Sequence, residues 1–254
     1  MSIELDVLKE PSLYDLFNSN CVEDMPMYYK MFSNAEKVLE LGIGTGRIAL
    51  PLIKKGIKVV GVDNSKEMLS YLKSKIEKIP LYAERIKTFY QDFCFLNLEE
   101  KFDFAFYPFC TFNYLLTLEQ QEKALASLKP NLTKKAIVIF DLMTINTFPK
   151  MLYDTQQIYS ELSMNNGKEV AITIQSRFNQ STQIYTQNRI FKYYNGNDFI
   201  TEKKVKMMNR IFFIGEFELL LEKCGYKIIK IYGDYNMGKF TSKSECLIIE
   251  AALI

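Results

Sequence analysis

Two acids, Glu40 and Asp63, and the three glycines at positions 42, 44 and 46 have the residue types and the spacing to bind a nucleoside. A glycine loop, Gly42-Ile43-Gly44-Thr45-Gly46, follows a short apolar strand that contains Glu40 and precedes the start of a helix. A second apolar strand, residues 57–62, ends at Asp63, 21 residues after Gly42. Gly42 and Gly44 can adopt positive φ and let a ligand approach the backbone closely. Asp63 can accept hydrogen bonds from a ribose diol, so we expect a nucleotide-binding βαβ unit here.

The spacing of the glycines and the preceding acid indicate which kind of ligand fits. In the dinucleotide fingerprint G-x-G-x-x-G the third glycine comes three residues after the second, whereas here Gly46 follows Gly44 by two. Glu40 would repel a pyrophosphate and favours a ligand with a cationic amino-acid end. The alternative is a glycine-rich strand-to-helix turn in another doubly wound protein.

The surrounding chain alternates apolar strands with helices, which predicts a parallel sheet. Helices are expected from Asn64 or Ser65, where a side chain can cap the first turn, and over residues 118–128. The further strands predicted in this part of the chain are 88–90, 102–107 and 136–141. Ligands bind at the carboxyl ends of such strands, so the loops that follow them form the candidate site.

Two segments depart from this alternation. Residues 1–33 have apolar positions at helical spacing on both sides of a turn region, which predicts two short helices. Beyond residue 150, three alternating polar and apolar runs with turn signals at 165–167 and 195–197 predict an antiparallel sheet. A helix over 215–224 and two last strands, 226–232 and 244–251, then predict a closing hairpin at one edge of the parallel sheet. These two strands have no helix between them.

Four motifs make the chain resemble the class I S-adenosylmethionine (SAM) methyltransferases over roughly residues 36–254. Residues 40–46 resemble motif I, and Gly61-Val62-Asp63 with Ser65, Met68 and Leu69 resembles motif II. Gln91-Asp92-Phe93 resembles the adenine-side motif, and Tyr107-Pro108-Phe109-Cys110 resembles the acceptor-side motif. Residues 102–116 and the β insertion are similar to small-molecule methyltransferases that act on amines, such as the N,N-dimethyltransferases of deoxyamino-sugar pathways and glycine N-methyltransferase.

The resemblance implies an α/β fold with a Rossmann-like seven-stranded sheet, an antiparallel terminal hairpin, an antiparallel β insertion and an N-terminal helical lid. We expect a single methyltransferase domain over residues 1–254. Its parts are the lid (1–33), the SAM-binding βα core (34–150), the β insertion (151–212) and the closing helix and strands (213–254).

The resemblance also implies SAM as the cofactor and assigns contacts to it. Glu40 is expected near the amino-acid end together with the backbone of Gly42 and Gly44, although an acid here could instead bond the loop N–H groups. Asp63 is expected on the ribose hydroxyls, and Gly46 is expected to allow close helix packing. The other expected cofactor contacts are Asn64, Met68, Gln91, Asp92, Phe93, Phe109 and Tyr29 of the lid. Met68 could equally be a core residue.

The absence of histidine bears on the methyl acceptor. A phenol or alcohol must lose a proton during attack, and histidine is the side chain that most often removes it. We therefore expect an amine, thiol or carboxylate acceptor, while a Tyr, Asp or Lys base would still permit a hydroxyl. The predicted catalytic residues are Tyr14, Asn113, Tyr114 and Arg210, and further acceptor-side candidates are Tyr107, Asp141 and Arg177.

Composition excludes several other functions. A net charge of +2 with dispersed lysines is not the clustered basic excess of a nucleic-acid surface. Residues 107–110, at the end of the fourth predicted strand, also depart from the N/D-P-P-Y/F signature of nucleic-acid amino-methyltransferases. Five cysteines without a paired spacing predict reduced thiols and no metal site. We expect a cytoplasmic enzyme, monomer or homodimer, that acts on a small molecule without a nucleic-acid or membrane partner. Methylation of RNA or protein, and a non-catalytic binding protein of this fold, remain as alternatives.

Overall fold

The chain is represented by a computed structural model that describes residues 4–6, 9–18, 20–147, 155–163 and 169–254. Its first layer is a seven-stranded sheet in the order β11-β12-β6-β5-β2-β3-β4. The parallel strands are β2 (Lys37–Leu41), β3 (Lys58–Asp63), β4 (Ile86–Tyr90), β5 (Phe102–Tyr107) and β6 (Leu132–Met143). At one edge, β12 (Cys246–Leu253) is antiparallel to β6, and β11 (Tyr226–Tyr232) is antiparallel to β12. The predicted fold class is confirmed.

Helices cover both faces of this sheet, which explains why its strands are nearly continuous apolar runs. The helices near the glycine loop are α2 (Met25–Met31), α3 (Ala49–Lys54), α4 (Lys66–Ile76) and α5 (Pro80–Ala83). Tyr28 and Phe32 pack with Phe106 on this face, which also holds α3. The helices α6 (Leu118–Leu128) and α7 (Ile214–Lys223) pack on the other face, around Phe140 and Phe217.

Local capping fixes where these helices begin and end. Ser65 accepts a hydrogen bond from the Met68 N–H at the start of α4, so Ser65 and not Asn64 is the cap. Thr117 and Gln120 form a capping box at the start of α6. Gly225, with φ of +74°, follows the end of α7, where a residue in the left-handed region commonly ends a helix.

The second sheet has five strands in the order β1-β10-β9-β8-β7. It consists of β1 (Glu4–Asp6), β7 (Thr155–Ser163), β8 (Glu169–Asn179), β9 (Ile184–Asn195) and β10 (Asp198–Arg210). The alternation predicted β8, β9 and β10 but missed two strands. The first, β1, has only three residues, too few to show a period, and it pairs in parallel with β10. The second, β7, is antiparallel to β8. The turn signal at 165–167 and the boundary at 150/151 lie outside the described residues.

The helix α1 (Pro11–Asn18) lies between the two layers and joins them. Its Leu13 is buried among Val170, Ile172 and Phe191 of the second sheet. On the other side, the Asp15 carboxylate accepts a hydrogen bond from Thr45 Oγ1 at 2.5 Å, within the glycine loop, and pairs with Lys75. The predicted lid helices are therefore present, and α1 fastens the second sheet to the loop.

Candidate cofactor and acceptor site

The glycine loop has the conformation that the sequence predicts. Gly42, Gly44 and Gly46 have φ of +80°, +53° and +81°, which residues with a side chain rarely adopt. A Cβ added at Gly44 would meet no atom within 4 Å, so the backbone there faces open space. A Cβ at Gly46 would come within 2.5 Å of Leu72 in α4, which agrees with the expected close helix packing.

Asp63 ties the end of β3 to this loop. Its carboxylate accepts hydrogen bonds from the Gly44 N–H at 2.7 Å and the Ser65 N–H at 2.8 Å. Burial raises the pKa of this carboxyl, and the backbone N–H groups oppose that rise. A carboxylate has about four acceptor directions, so these two bonds leave capacity for ligand hydroxyls. The ribose contact stays a prediction that this geometry supports.

Glu40 is a buried acid without a matching cation. Its side chain is 1% exposed, and Oε2 has no hydrogen-bond partner. Burial raises the pKa of this carboxyl well above its usual range, Arg47 opposes that rise, and Asp63 and Asp24 add to it. The alternative, in which loop N–H groups satisfy the acid, does not hold for this oxygen. An unsatisfied buried carboxylate beside an open glycine is complementary to an ammonium group.

The predicted adenine-side residues fall into three groups. Asn64 and Asp92 are exposed at the ends of β3 and β4, where a ligand could reach them, and Asp92 also caps the turn at 93–95 by accepting from the Cys94 N–H. Met68 is buried in α4, and Phe93 packs edge-on against Tyr107. The Gln91 amide instead bonds both main-chain groups of Asn97 and so closes the loop that follows β4.

The acceptor-side loop after β5 is held in a strained conformation. Phe109 and Cys110 have φ of +46° and +62°, unusual for residues with a side chain. Asp141 holds both residues: its Oδ2 accepts from the Phe109 N–H at 3.0 Å, and its carbonyl accepts from the Cys110 N–H at 2.9 Å. The Arg47 guanidinium stacks on the Phe109 ring at 4.1 Å from the centroid. Because neither residue is a glycine, the sequence did not indicate a bend with positive φ at this position.

Of the lid tyrosines, only Tyr14 lies beside the glycine loop. Its phenol is in hydrogen-bonding contact with Arg47, and burial raises its pKa to about 12. Tyr29 lies instead against Lys55, at the end of α3 opposite to the loop. Tyr28 is fully buried and donates to Asp141 Oδ2 at 3.3 Å. The structure therefore does not bring Tyr29 to the cofactor site.

Three acceptor-side predictions need correction because their polar groups are occupied or buried. The Asn113 amide bonds the Arg210 carbonyl at 2.6 Å and the Met143 N–H at 3.2 Å, so it joins main-chain segments. The Arg210 guanidinium donates to Glu216 at 2.5 Å and to Gln183 at 2.6 Å. Tyr107 is fully enclosed in the core and stacks on Phe140. Sequence position alone could not show these contacts.

Tyr114 and Arg177 complete the predicted acceptor-side set. Tyr114 is half-buried and close enough to Arg189 in β9 to interact with its charge. Arg177 is exposed on β8. Arg189 itself was missed, because an arginine within an alternating strand looks like a solvent-facing residue.

Among the residues that the structure describes, no helix is long and apolar enough to cross a membrane. The same residues contain no group of Cys, Asp and Glu side chains arranged to hold a metal ion.

Comparisons with known proteins agree with the geometry of the site. Residues 38–135 match a family described as a methyltransferase domain. The protein YqeM of Bacillus subtilis, whose name assigns it provisionally to the methyltransferases, is 24% identical over 244 residues, 94% of each chain.

Two solved structures share the whole architecture. One is an S-adenosylmethionine-dependent methyltransferase from Clostridium acetobutylicum, with a TM-score of 0.80 and 19% identity over 95% of this chain and 96% of that one. The other is a sugar N-methyltransferase from Streptoalloteichus, with a TM-score of 0.73 and 14% identity over 98% of this chain and 96% of that one. At these identities the likeness concerns the fold.

Proposed function

We propose that this chain is a class I SAM-dependent methyltransferase that methylates an amine nitrogen of a small molecule. The match of residues 38–135 to a methyltransferase domain supports the reaction type. The observation that carries this proposal is that the described residues on the acceptor side offer no available base. The chain has no histidine. Asp141 accepts from Tyr28, Tyr235 and the Phe109 N–H, so its oxygens are engaged. Tyr14, with a pKa of about 12, holds its proton at neutral pH.

Residues of the βα core fit the cofactor. When bound, SAM would supply a methyl group on a sulfonium: an amine nitrogen could attack the methyl carbon in line with the C–S bond, which would break and release neutral S-adenosylhomocysteine. Glu40 would bind the ammonium of the amino-acid end, Gly44 would allow the ligand to approach the backbone, and Asp63 would bind the ribose hydroxyls. The orphaned Oε2 of Glu40 and the open space at Gly44 support this assignment.

The acceptor would be positioned rather than activated. Asp141 and Arg47 fix the bend at Phe109, and Tyr14 lies beside Arg47 under the second sheet. Orientation of two reactants can supply on the order of 7–11 kcal/mol of a barrier. An amine that enters as the free base needs no other assistance, and the proton that it carries after methylation can leave to solvent. The sugar N-methyltransferase of the same fold supports an amine acceptor.

A screen of acceptors with labelled SAM tests this proposal. We expect label transfer to amines or amino sugars, and no comparable transfer to the matched alcohols. S-adenosylhomocysteine binding, measured by calorimetry, serves as the control that the cofactor site is intact. Faster turnover of an alcohol than of any amine would contradict the amine proposal.

The second candidate is methylation of a carboxylate or hydroxyl of a small metabolite. A carboxylate, like an amine, presents a lone pair without a base, so the same observation favours it over an alcohol. Carboxylates in the same screen, with detection of base-labile label, distinguish a methyl ester from an N-methyl product. RNA or protein substrates would be revealed by a strongly salt-dependent activity.

A further inference from the structure

Among the residues that the structure describes, one buried arginine in the second sheet has no carboxylate partner. Arg189, in β9, is 7% exposed. Within the described part of the chain, the groups that act on its charge are the phenols of Tyr14, Tyr114 and Tyr185 and the thiol of Cys21. Burying a guanidinium without a counter-charge costs free energy, so such a group usually has a function that repays the cost.

Two partly buried arginines elsewhere in the chain are paired with carboxylates. Arg47 makes a bidentate ion pair with Asp24, at 2.9 and 2.6 Å. Arg210 pairs with Glu216. Among the described residues, Arg189 donates a neutral hydrogen bond from its Nε to Gln187 Oε1 at 2.5 Å, and its Cζ lies 3.7 Å from the centroid of the Phe17 ring. These contacts hold the guanidinium in place and leave its charge uncompensated.

A chain of polar side chains orients this arginine. Gln187, which accepts from Arg189, donates from its amide nitrogen to the Tyr185 hydroxyl at 2.9 Å. The Tyr185 hydroxyl lies 2.9 Å from Ser176 Oγ in β8. Tyr185, Gln187 and Arg189 alternate along β9, so all three project from the same face of the second sheet. A guanidinium fixed in this way is pre-organised to accept a planar or tetrahedral anion.

The position of Arg189 connects it to the methyl-transfer site. The arginine packs against Phe17 of α1, and Tyr14 of the same helix acts on both Arg189 and Arg47. Arg47 directly follows the glycine loop and stacks on Phe109 of the acceptor-side loop. Arg189 and Arg47 therefore both lie near Tyr14, and an anion on Arg189 would lie close to the side of the glycine loop where the acceptor is expected.

We propose that Arg189 binds an anionic group, carboxylate or phosphate, of the methyl acceptor. This inference rests on the proposed function, since it identifies the class of small molecule that enters the same site. The acceptor is then an amine that also carries an acid. Its charge supplies the missing partner of Arg189 and turns the acceptor toward the methyl group.

Anion binding can be measured without methyl transfer. The unfolding temperature of the protein saturated with S-adenosylhomocysteine is followed against inorganic phosphate, pyrophosphate and acetate, at ionic strength held constant with sodium chloride. We expect a saturable rise for one of these anions, of about 5 °C at a hundredfold excess over its dissociation constant. Whether phosphate or acetate gives the rise distinguishes the two anionic groups.

Two variants and a matched control decide whether Arg189 is responsible. Arg189→Gln is expected to weaken anion binding at least about tenfold, because a buried charge pair is lost. Arg189→Lys keeps the charge and should retain part of the binding. Arg85→Gln is the control, because Arg85 donates to the Gly56 carbonyl at the far end of α3. Its anion binding should match that of the unmodified protein.

A purely structural role for Arg189 predicts a different result. The anion-free Arg189→Gln protein would then unfold at a lower temperature, whereas a ligand-binding arginine leaves that temperature unchanged or raises it when removed. The proposal is overturned if no anion gives a saturable rise, or if Arg189→Gln binds as tightly as the unmodified protein. Failure of the proposed function is separable, because it would appear as loss of S-adenosylhomocysteine binding or of methyl transfer to every amine.

Discussion

At the scale of single residues, the site is defined by charges that the folded chain leaves unbalanced. Glu40 and Arg189 are both buried, and neither has an oppositely charged partner among the described residues. Arg47, by contrast, is satisfied by Asp24. Groups that bind charged ligands often reduce the stability of the empty protein, because their partner arrives only with the ligand. The oxygen of Glu40 that has no hydrogen bond among the described residues fits the proposed contact with an ammonium group.

Replacing Glu40→Gln tests its role toward the ammonium. We expect S-adenosylhomocysteine to bind at least about tenfold more weakly, because a buried ion pair cannot form. Since the pKa of Glu40 is raised, binding to the unmodified protein should tighten as pH rises through that pKa, with release of a proton. The variant should lack this pH dependence. Calorimetry in buffers of different ionisation enthalpy measures both the affinity and the proton release.

The same substitution should act in the opposite direction on stability. In the cofactor-free protein the folded Glu40 keeps its proton at pH values where the unfolded chain has lost it. Its contribution is therefore full below the unfolded pKa, about 4.3, and is lost as pH rises through the folded pKa. Glu40→Gln should be as stable as the unmodified protein or more stable at pH 7, by urea unfolding. A large loss of stability would instead indicate a structural acid.

At the scale of elements, helix α1 links the second sheet to the glycine loop, so the position of its side chains beside the site depends on its packing. It packs on that sheet through Leu13 and on the glycine loop through Asp15. An eight-residue helix is too short to be stable alone, so its order depends on these two contacts. Tyr14 and Phe17, which lie beside Arg47 and Arg189, are positioned only while α1 is docked.

Leu13→Ala should loosen α1 and leave the parallel sheet intact. Leu13 is 3% exposed, and truncating a buried leucine costs about 2–5 kcal/mol at the site that it stabilises. We expect faster amide hydrogen exchange over residues 11–18, a raised KM for the acceptor, and unchanged exchange in β2 and β3. Leu219→Ala, at a position 68% exposed in α7, is the control and should change nothing measurable. Uniformly faster exchange throughout the chain would show that α1 is not an independent unit.

At the scale of the whole molecule, the two sheets are joined at places far apart in the sequence. Asn113, after β5, bonds the carbonyl of Arg210 at the end of β10. Arg210 in turn pairs with Glu216 in α7, which packs on the main sheet. These contacts hold the insertion against the core on the acceptor side, so residues that resembled catalytic candidates are instead part of the framework.

Arg210→Ala should therefore reduce stability and not cofactor binding. Hydrogen bonds to charged groups contribute about 1.5–3 kcal/mol, and loss of this pair should lower the free energy of unfolding by that order. Glu216→Ala and the double variant complete a cycle, in which the two single effects should not add. Affinity for S-adenosylhomocysteine is the control. A variant of full stability but reduced turnover would return Arg210 to the active site.

Much of the fold could be predicted because its signals are local. Buried parallel strands read as apolar runs, and helix ends are marked by side chains such as Thr117 and Ser65 that cap their own neighbours. The strand β1 could not be predicted, since three residues show no period and their pairing with β10 joins positions about 200 residues apart. The acceptor-side bend at Phe109 carries no glycine, because Asp141 stabilises it from another strand.

The cofactor half of the site could be predicted from residues close together in the sequence, and the conformation of the glycine loop agrees with that prediction. Gly42, Gly44 and Asp63 act through backbone conformation and strand ends, which depend on residues close in the chain. The acceptor half depends on tertiary contacts: the polar groups of Asn113 and Arg210 bond distant parts of the chain, and Arg189 is a candidate for binding an anion. A polar side chain is available to a ligand only if no distant residue already pairs with it. Such pairing is formed by the folded chain and cannot be read from residue type and spacing.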